Sequence, residues 1–185
     1  MDVITASYWS GNITWFDNLD GAGGSWEFNV SASNTWGARD VEPTDLDNDG
    51  DWDLLAARGS CQYDHMAEGQ VYWMENLNGA ATEWEFHDLG EWVNANSVHP
   101  ADLDQDGDDD ILASTWKADD PWCGHSTGKL LFWENLGPDD LNWPLTIIYE
   151  SDLSVANIGT ADFNGNGLQD IFASGGGTIH GGVGT

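Results

Sequence analysis

The sequence predicts an all-β chain built from repeated four-stranded units, and three observations predict it. An acidic nonapeptide recurs three times, with steps of 57 and 60 residues from Asp45 to Asp102 to Asp162. A second, aromatic segment ending in Asn-Leu recurs in the same order between the acidic copies. No stretch carries a sustained apolar stripe at helical spacing, and 23 glycines in 185 residues disfavour long helices. Self-similarity at such a period is the mark of a repeat architecture.

Each element follows from its own residues. The acidic copies read Asp45-Leu-Asp-Asn-Asp-Gly-Asp-Trp-Asp53, Asp102-Leu-Asp-Gln-Asp-Gly-Asp-Asp-Asp110 and Asp162-Phe-Asn-Gly-Asn-Gly-Leu-Gln-Asp170. Val41, Val98 and Ile158 each sit four residues before the first Asp, on a strand A that ends at the loop (Asn96–Ala101 in the second copy). Strand B follows the loop as Leu-Leu-Ala-Ala, Ile-Leu-Ala-Ser or Ile-Phe-Ala-Ser. It is apolar at consecutive positions, as a strand covered on both faces is. Asp2-Val-Ile-Thr-Ala-Ser matches the start of the same strand. Strand C carries the aromatic motif: Ile13-Thr-Trp-Phe-Asp-Asn18-Leu, Val71-Tyr-Trp-Met-Glu-Asn76-Leu and Leu130-Leu-Phe-Trp-Glu-Asn135-Leu. Strand D starts at a Trp eight residues after each Asn, at Trp26, Trp84 and Trp143.

Four short strands in about 50–60 residues match a propeller blade, in which blades stack face to face. The fold class read from the sequence is therefore a β-propeller segment of about three four-stranded antiparallel blades, incomplete at both ends. The strands run B-C-D, A-B-C-D, A-B-C-D, A-B. The repeats span approximately 2–52, 53–109, 110–169 and a partial 170–185. About three blades do not close a ring, since propellers have 4–8. The segment is expected either to belong to a longer propeller or to complete its ring with a second copy. The recurring aromatics are expected between blades, while Trp9, Trp116 and Trp122 fall in loops where they could stack on sugars.

The acidic loops read as metal sites. Adjacent carboxylates repel one another unless a cation neutralises them. Positions 1, 3, 5 and 9 offer hard oxygen donors, the carbonyl of position 7 offers another, and Gly at position 6 permits the sharp turn. The candidate ligands are Asp45, Asp47, Asp49, Asp51 and Asp53 in the first loop and Asp102, Asp104, Asp106, Asp108 and Asp110 in the second. Asp162, Asn164, Asn166, Leu168 and Asp170 are those of the third. Oxygen donors in a flexible loop suit Ca²⁺ better than Mg²⁺ or zinc. Up to three structural Ca²⁺ ions are expected, the third bound more weakly because two of its donors are neutral. An EF-hand is excluded, because its position 12 needs a bidentate Glu and here holds Ala56, Ala113 or Ala173, between strands rather than helices.

The Asp loops, the segment before them and the aromatic-Asn-Leu strand resemble the FG-GAP/VCBS repeats of integrin α-subunit propellers and of many bacterial secreted proteins. The resemblance covers nearly the whole chain. It implies a seven- or eight-bladed propeller that is extracellular or at the cell surface, used for adhesion or ligand binding, with Ca²⁺ on the face opposite the ligand loops. Such propellers need more than twice this chain's 185 residues.

Composition excludes several classes. With 33 acids against 4 Lys and Arg the net charge is −29, which excludes nucleic-acid binding and argues against an anionic membrane surface. No apolar run approaches the ~20 residues of a membrane span, so no membrane insertion is expected. Nothing at the start reads as a charged-then-apolar leader. Twelve Trp, 6 Phe and 4 Tyr are too many for a disordered acidic tail.

Cys61 and Cys123 lie in successive B–C connections, where they read as an inter-blade disulfide, as two free thiols, or as a zinc or copper site with His65 and His125. His180 sits in a similar connection, and His99 on strand A reads as a packing residue. No nucleophile or phosphate-loop motif is present. The functional expectation is a calcium-binding extracellular module whose partner is a glycan or a protein. The alternatives are an accessory propeller of a secreted polysaccharide-degrading enzyme and a purely architectural repeat.

Overall fold

The computed structural model describes residues 1–33, 35–59, 69–120, 124–137 and 142–176, with backbone alone at 119, 120, 124, 125 and 176. Every regular element among them is a strand. β1 (Val3–Ser7), β2 (Asn12–Asn18) and β3 (Trp26–Ala32) form one antiparallel sheet. β4 (Ala38–Thr44), β5 (Asp53–Arg58), β6 (Gln70–Asn76) and β7 (Trp84–Glu91) form the second, in chain order. β8 (Ala95–Ala101), β9 (Asp110–Thr115), β12 (Gly128–Trp133) and β13 (Leu145–Ser151) form the third. β14 (Ser154–Ala161) pairs with β15 (Asp170–Gly176). Sheets of three, four, four and two strands follow the order expected from the repeats.

Two details depart from that expectation. The connection between β9 and β12 holds a short hairpin, β10 (Ala118–Asp120) with β11 (Gly124–Ser126). Its Asp and Gly residues have poor strand propensity, so no pattern announced it. β13 begins at Leu145 rather than at Trp143, because Pro144 has no N–H to give the ladder.

Consecutive sheets pack face to face. Ile13 joins Leu54, Ala56, Tyr72 and Met74 between the first and second sheets. Leu55, Ala57, Val71 and Trp73 meet Val98, Ile111, Ala113, Leu131 and Trp133 between the second and third. Leu112 and Leu130 meet Val155 and Ile158 between the third and fourth. The consecutive apolar residues of strand B thus divide between two cores: Leu54 and Ala56 face one neighbour, Leu55 and Ala57 the other. β5 and β9 are buried along nearly their whole length. At about 25 cal/mol per Å² of apolar area, these side chains supply the main driving force for stacking the sheets.

The aromatics follow the same division. Trp73 lies parallel to Trp143 at 6.1 Å, and Trp92 meets Trp133 edge-on at 6.0 Å. Trp26, on an outer sheet, remains 43% exposed. Polar contacts also cross between sheets: Ser97 Oγ donates to Asp40 Oδ2 at 2.8 Å. His99 is half-buried on β8 with Nε2 3.3 Å from Thr160 Oγ1, a packing position as its strand suggested.

The antiparallel order sorts the connections into two ends. The three acidic loops share one end with the β2–β3, β6–β7 and β12–β13 turns. The β1–β2, β5–β6 and β9–β12 connections lie at the other.

Candidate metal centre

Each acidic loop is a tight turn wound around its own carboxylates. Gly50 N donates to Asp45 Oδ2 at 3.1 Å, Asp49 N to Asp47 Oδ1 at 3.2 Å and Asp51 N to Asp49 Oδ1 at 3.0 Å. In the second loop Gln105 N donates to Asp102 Oδ1 at 2.7 Å, Asp106 N to Asp104 Oδ1 at 3.1 Å and Asp108 N to Asp106 Oδ1 at 3.1 Å. The third repeats the pattern through Asp162, Asn164 and Asn166, with Gly167 N donating to Asp162 Oδ2 at 2.8 Å. Position 6 is left-handed in all three, at Gly50 (φ 97°), Gly107 (φ 102°) and Gly167 (φ 86°). Position 4 is left-handed as well, at Asn48 (φ 59°), Gln105 (φ 66°) and Gly165 (φ 74°).

This winding brings positions 1, 3 and 5 together. Asp45, Asp47 and Asp49 each offer a carboxylate oxygen, all within 4.8 Å of one another, and so do Asp102, Asp104 and Asp106. Such a set of hard oxygens can hold a divalent cation. Burial pushes Asp47 upward in pKa, with the charges of Asp49, Glu75 and Asp45 adding to the effect. Burial and the charges of Asp49 and Asp45 raise Asp51 too. A cation in the loop relieves both effects by favouring the ionised carboxylates. In the third loop the backbone donors, Gly167 first, hold Asp162 below the usual carboxylate range.

Position 9 has a second task. Asp53 is 1% exposed; its Oδ2 accepts from Leu46 N at 2.9 Å and its Oδ1 from Asn76 N at 2.9 Å. Asp110 is fully buried and repeats this with Leu103 N at 3.0 Å and Asn135 N at 2.9 Å. Asp170 Oδ2 accepts from Phe163 N at 3.0 Å. Desolvation dominates the first two and raises each to about 6, against the pull of the backbone donors. Each of these two carboxylates therefore ties its loop to strand C. The side chains of position 7 also turn aside: Asp51 and Asp108 lie against the turns at Gly79 and Gly137.

The recurring Asn of strand C completes the tie, a role its recurrence signalled without explaining. Asn76 Nδ2 donates to Trp52 O at 3.3 Å, and its Oδ1 accepts from Ala81 N at 3.1 Å. Asn135 Nδ2 donates to Asp109 O at 3.1 Å and to Leu46 O of the neighbouring loop at 2.9 Å. Asn18 repeats the pattern with Met1 O at 3.2 Å and Gly23 N at 3.1 Å. Position 4 links loop to loop: Asn48 Nδ2 donates to Asp108 Oδ1 at 2.5 Å and Gln105 Nε2 to Gly167 O at 2.5 Å. Asn135→Ala removes a side chain only 1% exposed and leaves the Leu46 and Asp109 carbonyls without its Nδ2 donor. The expected loss is about 1–3 kcal/mol of stability in chelator, read by urea denaturation.

The opposite end has different chemistry. All four basic residues of the chain lie there: Arg39 near the start of β4, Arg58 at the end of β5, Lys117 just past β9 and Lys129 near the start of β12. The Arg39 guanidinium lies 5.0 Å from the Trp116 ring and 5.5 Å from Tyr8. Trp9 is 69% exposed, Trp36 51% and Trp116 41%. A cleft of about 620 Å³ runs between Trp92, Lys117, Lys129 and Glu150. Cys61, His65, Trp122, Cys123 and His180, and the side chain of His125, lie outside the described residues.

No family model matches the chain, and no curated protein sequence matches it. No helix among the described residues is long and apolar enough to cross a membrane.

Proposed function

We propose that the chain is a calcium-stabilised β-propeller segment of the FG-GAP/VCBS type, acting as an extracellular binding module. The observation that carries this reading is the acidic turn itself. Two hairpin loops with the same spacing gather three carboxylates each, and each loop is buttressed by a buried Asp and an Asn from strand C. Ca²⁺ suits such all-oxygen donor sets, and its binding energy becomes folding energy because the unfolded chain has no such site. The neutral donors Asn164 and Asn166 make the third loop the weakest site.

The ligand reading rests on the opposite end. Exposed Trp9, Trp36 and Trp116, the last beside Arg39, suit a glycan, whose sugar faces stack on indoles while its polar groups meet charged side chains. The outer sheets carry Phe28 at 69% exposure and Phe172 at 48%, faces suited to cover by further blades or by a second copy. A glycan array probed with the Ca²⁺-loaded chain is expected to give binding that falls at least tenfold in Trp9→Ala and Trp116→Ala. An array with no binding, or binding indifferent to both variants, contradicts the glycan reading.

A further inference from the structure

We infer that Glu75, Glu85 and His87 form a site for a divalent transition ion of zinc's class, separate from the acidic loops. The three residues come from neighbouring strands. In the β6–β7 register Glu75 stands directly opposite Glu85, and Trp73 opposite His87. Their donor atoms all lie within 4.8 Å of one another, with His87 Nε2 2.8 Å from Glu75 Oε2.

Two features separate this trio from an acidic surface patch. Its imidazole is held in place: the Trp73 ring stacks on it at 4.2 Å and 15°, and Trp73 is itself backed by Trp143. The ring nitrogen is thus presented from a rigid wall, with the His87 side chain only 17% exposed and that of Glu75 only 24%. The second feature is the directly opposed pair of glutamates. Like charges at such a pair destabilise a sheet. The contact with His87 Nε2 engages one carboxylate, whereas an ion seated among all three donors engages both.

The donor set selects the metal. The acidic loops offer oxygen alone, which suits Ca²⁺. A neutral imidazole with two carboxylates suits zinc and its neighbours, leaving the fourth tetrahedral position open to water. Glu75 also adds to the negative field at Asp47 and Asp51, so the test begins with the loops filled.

The experiment titrates Zn²⁺ into the full chain in saturating Ca²⁺, by calorimetry and by ¹⁵N spectra of the histidine rings. The expected result is one equivalent of Zn²⁺ bound with a shift of His87 Nε2. His87→Gln should abolish that site and Glu85→Gln should weaken it at least tenfold. Glu85 is exposed on an outer strand and opposes Glu75, so Glu85→Gln should melt no lower than the zinc-free parent and remain informative if His87→Gln folds poorly. Asp49→Asn, which disables the first calcium loop, should keep the zinc affinity, so failure of the calcium reading leaves this site standing. Absence of zinc binding overturns the inference. So does binding that leaves His87 unmoved, or that survives either variant at full affinity at the cysteines or other histidines.

Discussion

Removal of divalent ions is expected to lower the melting temperature by about 10–20 °C, with Ca²⁺ restoring it and Mg²⁺ doing so weakly. An ion held at one hundred times its dissociation constant contributes about 2.7 kcal/mol per site. Two such loops contribute about 5 kcal/mol, and each kcal/mol shifts a domain of this size by about 2–4 °C. The repulsion to be relieved is built into the turns, where Asp45, Asp47 and Asp49 converge and Asp102, Asp104 and Asp106 do the same. Mg²⁺ is the weaker stabiliser because it demands octahedral geometry and sheds water reluctantly. Differential scanning calorimetry in EDTA, Ca²⁺ and Mg²⁺ makes the comparison. Superimposable EDTA and Ca²⁺ curves contradict it.

The second large effect is expected at position 9 and has a different signature. Asp110→Ala should destabilise the chelated protein by roughly 3 kcal/mol or more, because it removes a fully buried acceptor and leaves the N–H groups of Leu103 and Asn135 without it. Asp53→Ala should behave alike through Leu46 and Asn76. Asp106→Asn should leave stability in chelator nearly unchanged while reducing the gain on adding Ca²⁺, since Asp106 is exposed and bonds only within its own turn. Denaturant midpoints with and without Ca²⁺ separate the two classes. Equal losses for Asp110→Ala and Asp106→Asn in chelator would deny position 9 its separate role.

Much of this architecture was legible because burial imposes a pattern. Strand B reads as consecutive apolar residues since Leu54 and Leu55 face different cores, and strand C is aromatic since side chains such as Trp73 and Trp133 fill the gap between the second and third sheets. Turn chemistry was equally readable at position 6, where φ near 100° favours glycine. Position 4 escaped notice because Asn48 and Gln105 have side chains that mask the same left-handed backbone. The division of labour within the loops was also hidden. Sequence spacing presents positions 1, 3, 5 and 9 as equivalent side-chain donors, whereas only the fold reveals that Asp53 and Asp110 turn inward to strand C while positions 1, 3 and 5 converge. The Glu75–Glu85–His87 trio was invisible for a related reason: it depends on β6–β7 register, and its partners stand 10 and 12 residues apart with no motif between them.

The most direct test is a diffraction experiment on crystals grown with Ca²⁺, locating the ions by anomalous scattering. The account predicts full occupancy within about 2.3–2.6 Å of oxygens from Asp45, Asp47 and Asp49 and from Asp102, Asp104 and Asp106, with lower occupancy beside Asp162. Water alone in the first two turns at millimolar Ca²⁺ would contradict it.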